Sequence, residues 1–195
     1  MNLPWGVGSL DRVAFGLING VWTHPSLDAL MPMITDPHRV PWLLYGVAPA
    51  ALGLWFYKQR KHALKVLVVA VLAIAACDLL SYRVLKPWAK RPRPEYAGIG
   101  AIKRVPEGGR LGFPSNHAGN AAAGAAVLSV AYPAASVVFW ALAILVAYSR
   151  VYVGMHYPLD VLAGLAIGAM IGWPWAALML GGAGKGGASK KKKKG

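Results

Sequence analysis

Between Ser149 and Asp160, twelve residues hold an arginine, a histidine and a carboxylate, flanked by two long apolar segments. Ionisable groups beside hydrocarbon are costly and usually mark a pathway or a reaction centre, so Arg150, His156 and Asp160 are candidates for chemistry. Pro158 suits the first position of a helix, which puts the helix start at about Tyr157 or Pro158. His156 then sits at the cap and Asp160 in the first turn, close enough to accept a hydrogen bond from one imidazole nitrogen. Such a bond fixes the tautomer and leaves the other nitrogen free as base or nucleophile. Arg150 supplies a permanent planar cation for phosphate or carboxylate oxygens, and the open N–H groups of the helix start suit an anion. Taken singly, the same residues read as a snorkelling arginine, an interfacial histidine and a capping aspartate.

Two other clusters have related character. Lys86-Pro-Trp-Ala-Lys-Arg-Pro-Arg93-Pro94 holds its cations on a proline-stiffened backbone that cannot continue a helix. By itself it reads equally well as a juxtamembrane patch touching lipid headgroups. Pro114-Ser115-Asn116-His117 stands at a helix start, where Ser and Asn are good N-caps and the next turn presents free N–H groups. Capping accounts for Ser115 and Asn116 but leaves His117 unexplained.

The elements that must position these clusters follow from composition. The chain has 195 residues, is 56% hydrophobic and 14% charged, and has a mean hydropathy of +0.45; soluble domains carry about 25% charged residues. The pattern predicts an all-α integral membrane protein, one bundle of five transmembrane helices, or six if the N-terminal stretch adds a distorted span. The net charge of +14 is concentrated between apolar spans and in the tail, which favours anionic lipid or a phosphorylated substrate as partner and excludes nucleic acid. Cys77 is the only cysteine, so an internal disulfide is impossible. The N-terminus has no basic region leading into an apolar core, and no cleavable signal peptide is expected.

Residues 1–38 contain two short apolar patches, 13–22 and 27–34, too short for the roughly 20 residues of a span, and read as interfacial or re-entrant helices. Residues 39–180 form the bundle. Its spans are predicted near 40–57, 66–85, 117–132, 134–148 and 157–179, with a basic turn from Lys58 to Lys65 after the first. Asp78, late in the second span, has three local roles open to it: pairing with Arg83, pairing with Tyr82, or positioning Lys86. Residues 86–116 are a long loop rich in Pro and Gly. Gly164, Gly168 and Gly172 repeat on one helix face as a packing seam. Residues 181–195, ending in Lys190 to Lys194, read as a disordered polybasic tail that contacts anionic membrane lipids. The oligomeric state is not encoded in any of these patterns.

Alternation across the bilayer brings the end of the second span, the start of the third, the end of the fourth and the start of the fifth to one membrane face. Lys86, Arg93 and Arg150 then meet two helix N-termini and two histidines. Phosphoryl transfer relies on positioning and electrostatics of this kind, with one histidine attacking phosphorus and the other protonating the leaving oxygen. Besides Asp160, only Glu95 and Glu107 lie in the loops of that face, too few carboxylates for a two-metal site, so no metal or other cofactor is expected.

The three clusters together resemble the type 2 phosphatidic acid phosphatases, whose pattern is K-x6-R-P, P-S-G-H and S-R-x5-H-x3-D, and which share their site architecture with vanadium haloperoxidases. The match is to Lys86, Arg93 and Pro94, to Pro114 through His117, and to Ser149, Arg150, His156 and Asp160. Asn116 departs from it, standing where the family has glycine. The resemblance implies that His156 is a nucleophile forming a phosphohistidine, Asp160 its orienting partner, and His117 the acid and then the base. It implies that Lys86, Arg93, Ser115, Asn116 and Arg150 hold the phosphate. It further implies a substrate such as undecaprenyl pyrophosphate, phosphatidylglycerol phosphate or a lipid A phosphate, and a bacterial inner-membrane location with the site facing the periplasm. The basic turn at 58–65 and the tail fall on the opposite face, as cytoplasmic segments would. The competing reading is a non-catalytic binder or transporter of phosphorylated lipids, which needs the cations but has no use for an oriented imidazole. Haloperoxidase chemistry fits poorly with a membrane-embedded site.

Overall fold

The computed structural model describes residues 8–106 and 108–181, so the lysine tail and Glu107 lie outside the described residues. Among the described residues the structure is helical, with one isolated antiparallel bridge between Pro92 and Leu111 and no strand. Three helical runs are long and apolar enough to cross a membrane: Leu43–Ala89, Pro133–Tyr152 and Pro158–Leu180. The expectation of an all-α membrane bundle holds.

Two short helices come first, α1 (Ser9–Gly16), extended by a wide turn over Leu17–Val21, and α2 (Pro25–Thr35). The run from Leu43 to Ala89 contains α3 (Ala48–Leu80) and the short α4 (Lys86–Ala89). The sequence predicts two spans separated by a basic turn. In the structure two helices meet inside that turn at a kink at Arg60, whose φ of 35° and ψ of −105° leave helical geometry. None of residues 41–62 is buried, whereas Ala63, Val66, Val69, Ala73 and Cys77 face the core at intervals of three and four.

The centre of the bundle is α5 (Asn116–Ala131) against α7 (Pro158–Leu180), with α6 (Ser136–Tyr152) alongside. The glycine seam explains the close approach of α5 and α7. A Cβ at Gly168 would lie 2.0 Å from the Gly119 carbonyl oxygen, and one at Gly164 would lie 2.5 Å from that of Ser115. Small residues on both helices let the backbones touch, as membrane helices without a hydrophobic driving force require. Above this seam Val66, Val69, Ala73 and Cys77 pack on Ala123, Val127, Ala176 and Leu180.

The direction of α5 sets the geometry of the site. At its C-terminal end, the Tyr132 hydroxyl accepts from Trp55 Nε1 and donates to Gln59 Oε1, both at 2.8 Å, and the His62 ring lies edge-on 5.7 Å away. The basic turn therefore lies at the end of α5 opposite to His117, roughly 24 Å away at 1.5 Å per residue. Both N-terminal helices lie at the His117 end, beside the 153–157 loop. Asn19 donates to the carbonyls of Ile102 and Tyr152 at 2.8 Å and accepts from Ile102 N at 2.8 Å, while Asp28 accepts from Arg104 Nε at 2.6 Å and from the Tyr152 hydroxyl at 2.7 Å. The long loop is thereby tied down, despite lacking any periodic pattern.

Candidate active site

Asp160 joins the three clusters. As the third residue of α7 it accepts from the Tyr157 backbone N–H through Oδ2 at 3.0 Å, which closes the first turn behind Pro158. The same Oδ2 is 3.5 Å from His156 Nδ1, which has no closer partner. Its Oδ1 accepts from Arg91 Nη1 at 2.6 Å, and its backbone carbonyl accepts from Ser115 N at 2.9 Å. Lys86 completes the frame by donating to the Pro114 carbonyl at 2.9 Å and to that of Leu111 at 3.3 Å. Each cluster is thus bonded to the other two.

Arg91 is buried, and its second nitrogen grips Asp11 of α1, which also accepts from Leu159 N at 3.0 Å at the start of α7. A guanidinium held between two buried carboxylates, with its face on the Tyr157 ring at 4.7 Å, satisfies charges that would otherwise be stranded. Neither Arg91 nor Asp11 stands out in the sequence. Arg91 is one of several cations in an irregular loop, and Asp11 is 80 positions away from it.

His156 and His117 line one cavity of about 270 Å³ together with Asp78, Tyr82, Arg93, Asn116 and Asn120. The two histidines differ in setting: His156 is 1% exposed, whereas His117 is open to the cavity mouth. Burial pushes the His156 pKa down to about 3; Asp160 works against that shift, and the Arg150 and Arg93 charges add to it. The imidazole is therefore neutral at ordinary pH, with a lone pair available. A second cavity of about 230 Å³ shares Tyr82 and Arg93 and adds Lys86, Gly109, Arg110 and Leu111.

Of the other residues, Ser115 and Arg150 stand behind these walls, while Arg93 and Asp78 form part of them. Ser115 is fully buried and caps α5, its Oγ accepting from Ala118 N at 3.5 Å. Arg150 is buried and donates to Thr35 Oγ1 at 2.6 Å. Arg93 Nε donates to the Leu111 carbonyl at 3.3 Å. Asp78 has neither Tyr82 nor Arg83 as its hydrogen-bond partner; its Oδ1 accepts from Asn116 Nδ2 at 2.6 Å and from Asn120 Nδ2 at 3.2 Å. The tertiary contact to α5 wins over the local neighbours on α3. Among the described residues, no three His, Cys, Asp or Glu side chains group closely enough to hold a metal ion.

A membrane helix bundle with two histidines, a buried carboxylate and a ring of cations at one end defines a class that sequence comparison makes specific. Residues 62–181 match the PAP2 superfamily, and the chain belongs to it. It is 31% identical over 169 residues to the lipid A 4′-phosphatase of Porphyromonas gingivalis, covering 84% of this chain and 70% of that protein. It is 29% identical over 164 residues to the undecaprenyl-diphosphatase BcrC of Bacillus subtilis, covering 82% and 79%. The crystal structure of the transmembrane PAP2-type phosphatidylglycerolphosphate phosphatase of Bacillus subtilis superposes with a TM-score of 0.64 at 28% identity, covering 87% of this chain and 84% of that one. The chain is accordingly a multi-pass membrane protein of a lipid phosphatase family.

Proposed function

We propose that the protein hydrolyses a phosphomonoester or pyrophosphate of a membrane lipid through a phosphohistidine on His156. The observation that carries this reading is that a neutral, carboxylate-backed imidazole and a second, open imidazole share one cavity. With Nδ1–H turned toward Asp160, His156 Nε2 attacks phosphorus, and the P–O bond to the lipid breaks as His117, which takes up a proton when the phosphoryl group's negative charge binds beside it, gives that proton to the leaving oxygen. His117 then takes a proton from water, which attacks the phosphohistidine, breaks the P–N bond and releases inorganic phosphate. Arg93, Lys86 and Arg150, with N–H groups at the start of α5, stabilise charge on the phosphoryl oxygens. Asn116 and Ser115 shape that helix start. Lipid A phosphates, phosphatidylglycerol phosphate and undecaprenyl pyrophosphate are the substrates named by the relatives' activities.

The reading extends to organisation and place. Residues 39–180 make the catalytic bundle, residues 1–38 an interfacial cover, and Lys190 to Lys194 an anchor for anionic lipid. The site faces the periplasm from the bacterial inner membrane, with the basic turn at 58–65 in the cytoplasm. No metal takes part, because Asp160 is engaged by Arg91, and Asp78 by two amides.

Rapid quenching with a radiolabelled substrate tests the mechanism. Acid-labile, base-stable label on the wild-type chain and none on His156→Gln is the expected result. Turnover retained by the variant, or activity lost to EDTA and restored by Mg²⁺, would reject it.

A further inference from the structure

The cavity that holds both histidines has two chemically different sides. On one side stand cations: Arg93, and beyond it Lys86 and Arg110 in the adjoining cavity. On the other stand Asp78 of α3 and Asn116 and Asn120 of α5, with His117 between the two asparagines in sequence. Asp78 Oδ1 takes one N–H from each amide, so both asparagines are turned with Nδ2 toward the carboxylate. Their Oδ1 atoms are buried and have no partner. A carboxylate accepts only, and each amide, with one N–H spent on Asp78, offers its unpartnered oxygen beside one remaining N–H. This side therefore presents mainly acceptors and one negative charge.

A phosphoryl group also carries only acceptors, so it belongs on the cationic side, next to His156. The atoms attached to the leaving oxygen must lie near His117, and hence against Asp78, Asn116 and Asn120. Buried acceptors left unmatched are expensive, while a matched hydrogen bond to a charged group is among the stronger ones. Hydroxyl or amide N–H groups close to the ester oxygen match this wall. A second phosphate joined directly to the leaving oxygen, as in a diphosphate, brings acceptors and negative charge against this wall and is repelled by it, whereas the phosphodiester of phosphatidylglycerol phosphate lies a glycerol away.

Resting on the phosphatase reading, we propose that Asp78, Asn116 and Asn120 form a leaving-group subsite for a headgroup bearing hydroxyl or amide N–H donors, such as a glycerol or an acylated amino sugar. The subsite selects phosphomonoesters of such headgroups over lipid diphosphates.

Phosphate release by the purified full-length chain in detergent is measured on phosphatidylglycerol phosphate, whose leaving glycerol has a free hydroxyl, on phosphatidic acid, whose leaving glycerol has none, and on undecaprenyl pyrophosphate. The expected kcat/KM is highest for phosphatidylglycerol phosphate, by about tenfold or more over each of the others, a factor typical of a hydrogen bond to a charged group. Asp78→Asn, of nearly equal size, should lower the ratio of phosphatidylglycerol phosphate to undecaprenyl pyrophosphate by about tenfold or more. Asn120→Ala, which removes one unpaired acceptor and leaves the charge, should shift the ratio of phosphatidylglycerol phosphate to phosphatidic acid in the same direction. Wild-type preference for the diphosphate, or an equal fall on all three substrates in both variants, overturns the subsite while leaving the phosphatase reading intact. Release from none of the three by the wild type overturns both.

Discussion

Arg91 and His156 share one carboxylate: the guanidinium donates to Asp160 Oδ1 at 2.6 Å, and the imidazole Nδ1 faces Oδ2 at 3.5 Å. The orientation of the imidazole is therefore set by a residue of a different loop, itself braced by Asp11 of α1. Replacing Arg91 by Met leaves two buried carboxylates unpaired, and breaking a buried pair in this way typically costs about 3–5 kcal/mol. Thermal unfolding in detergent should register that loss. Asp11→Asn, the milder change, should lower kcat more than it raises KM; an unchanged kcat would dissociate α1 from catalysis.

The depressed pKa of His156 predicts a pH dependence of stability. In the unfolded chain the imidazole titrates near 6.5, and in the folded protein near 3. Between those values the unfolded state binds the extra proton, so this contribution is complete above pH 6.5 and drains away as pH falls toward 3. The midpoint of thermal unfolding should drop between pH 7 and pH 4, and His156→Gln should flatten the drop. An equal slope in both proteins would place the acid sensitivity elsewhere.

His117 opens to the cavity mouth, and the proposed mechanism has it protonate a poor leaving group there. His117→Ala should cut turnover of a lipid phosphomonoester by about 10²–10⁴, the usual contribution of a positioned general acid. Formation of the phosphoenzyme from an activated aryl phosphate, whose leaving group needs no proton, should be far less affected. Equal losses on both substrates would remove His117 from the role of acid.

At Gly168 the carbonyl oxygen of Gly119 occupies the place a side chain would take, 2.0 Å from an ideal Cβ. Gly168→Val forces α5 and α7 apart, and overpacking of this kind costs about 1–3 kcal/mol or more. Because the same two helices carry His117 and Asp160, the unfolding midpoint and turnover should fall together. A stable, active Gly168→Val protein would contradict the backbone contact.

The bundle and the gathering of three clusters at one end were readable from apolar run lengths, proline and glycine positions and the spacing of Lys86, Arg93, His117, Arg150, His156 and Asp160. The predicted start of the last helix at Tyr157 or Pro158 matches α7, because proline at a first helical position is a local signal. What stayed hidden is tertiary. Asp78 invited pairing with neighbours four and five residues along the chain, but α5, packed on that face of α3, presents Asn116 and Asn120 instead. Arg91 is compositionally equal to Lys90 and Arg93, and its burial between Asp11 and Asp160 is a tertiary contact that no local pattern marks. The break at Arg60, by contrast, falls inside the predicted basic turn, although no proline or glycine marks the exact residue.

The frame that joins Lys86 to Pro114, Ser115 to Asp160 and Arg91 to Asp160 closes without using the chain between the two partners of the Pro92–Leu111 bridge. That intervening stretch is fastened instead to Asn19 and Asp28 of the N-terminal segment. The cover is thus moored through the same N-terminal segment that braces Arg91 and Arg150, and a relative's cover can be transplanted as a cassette only if it brings a counterpart of Arg93 and the N-terminal segment travels with it.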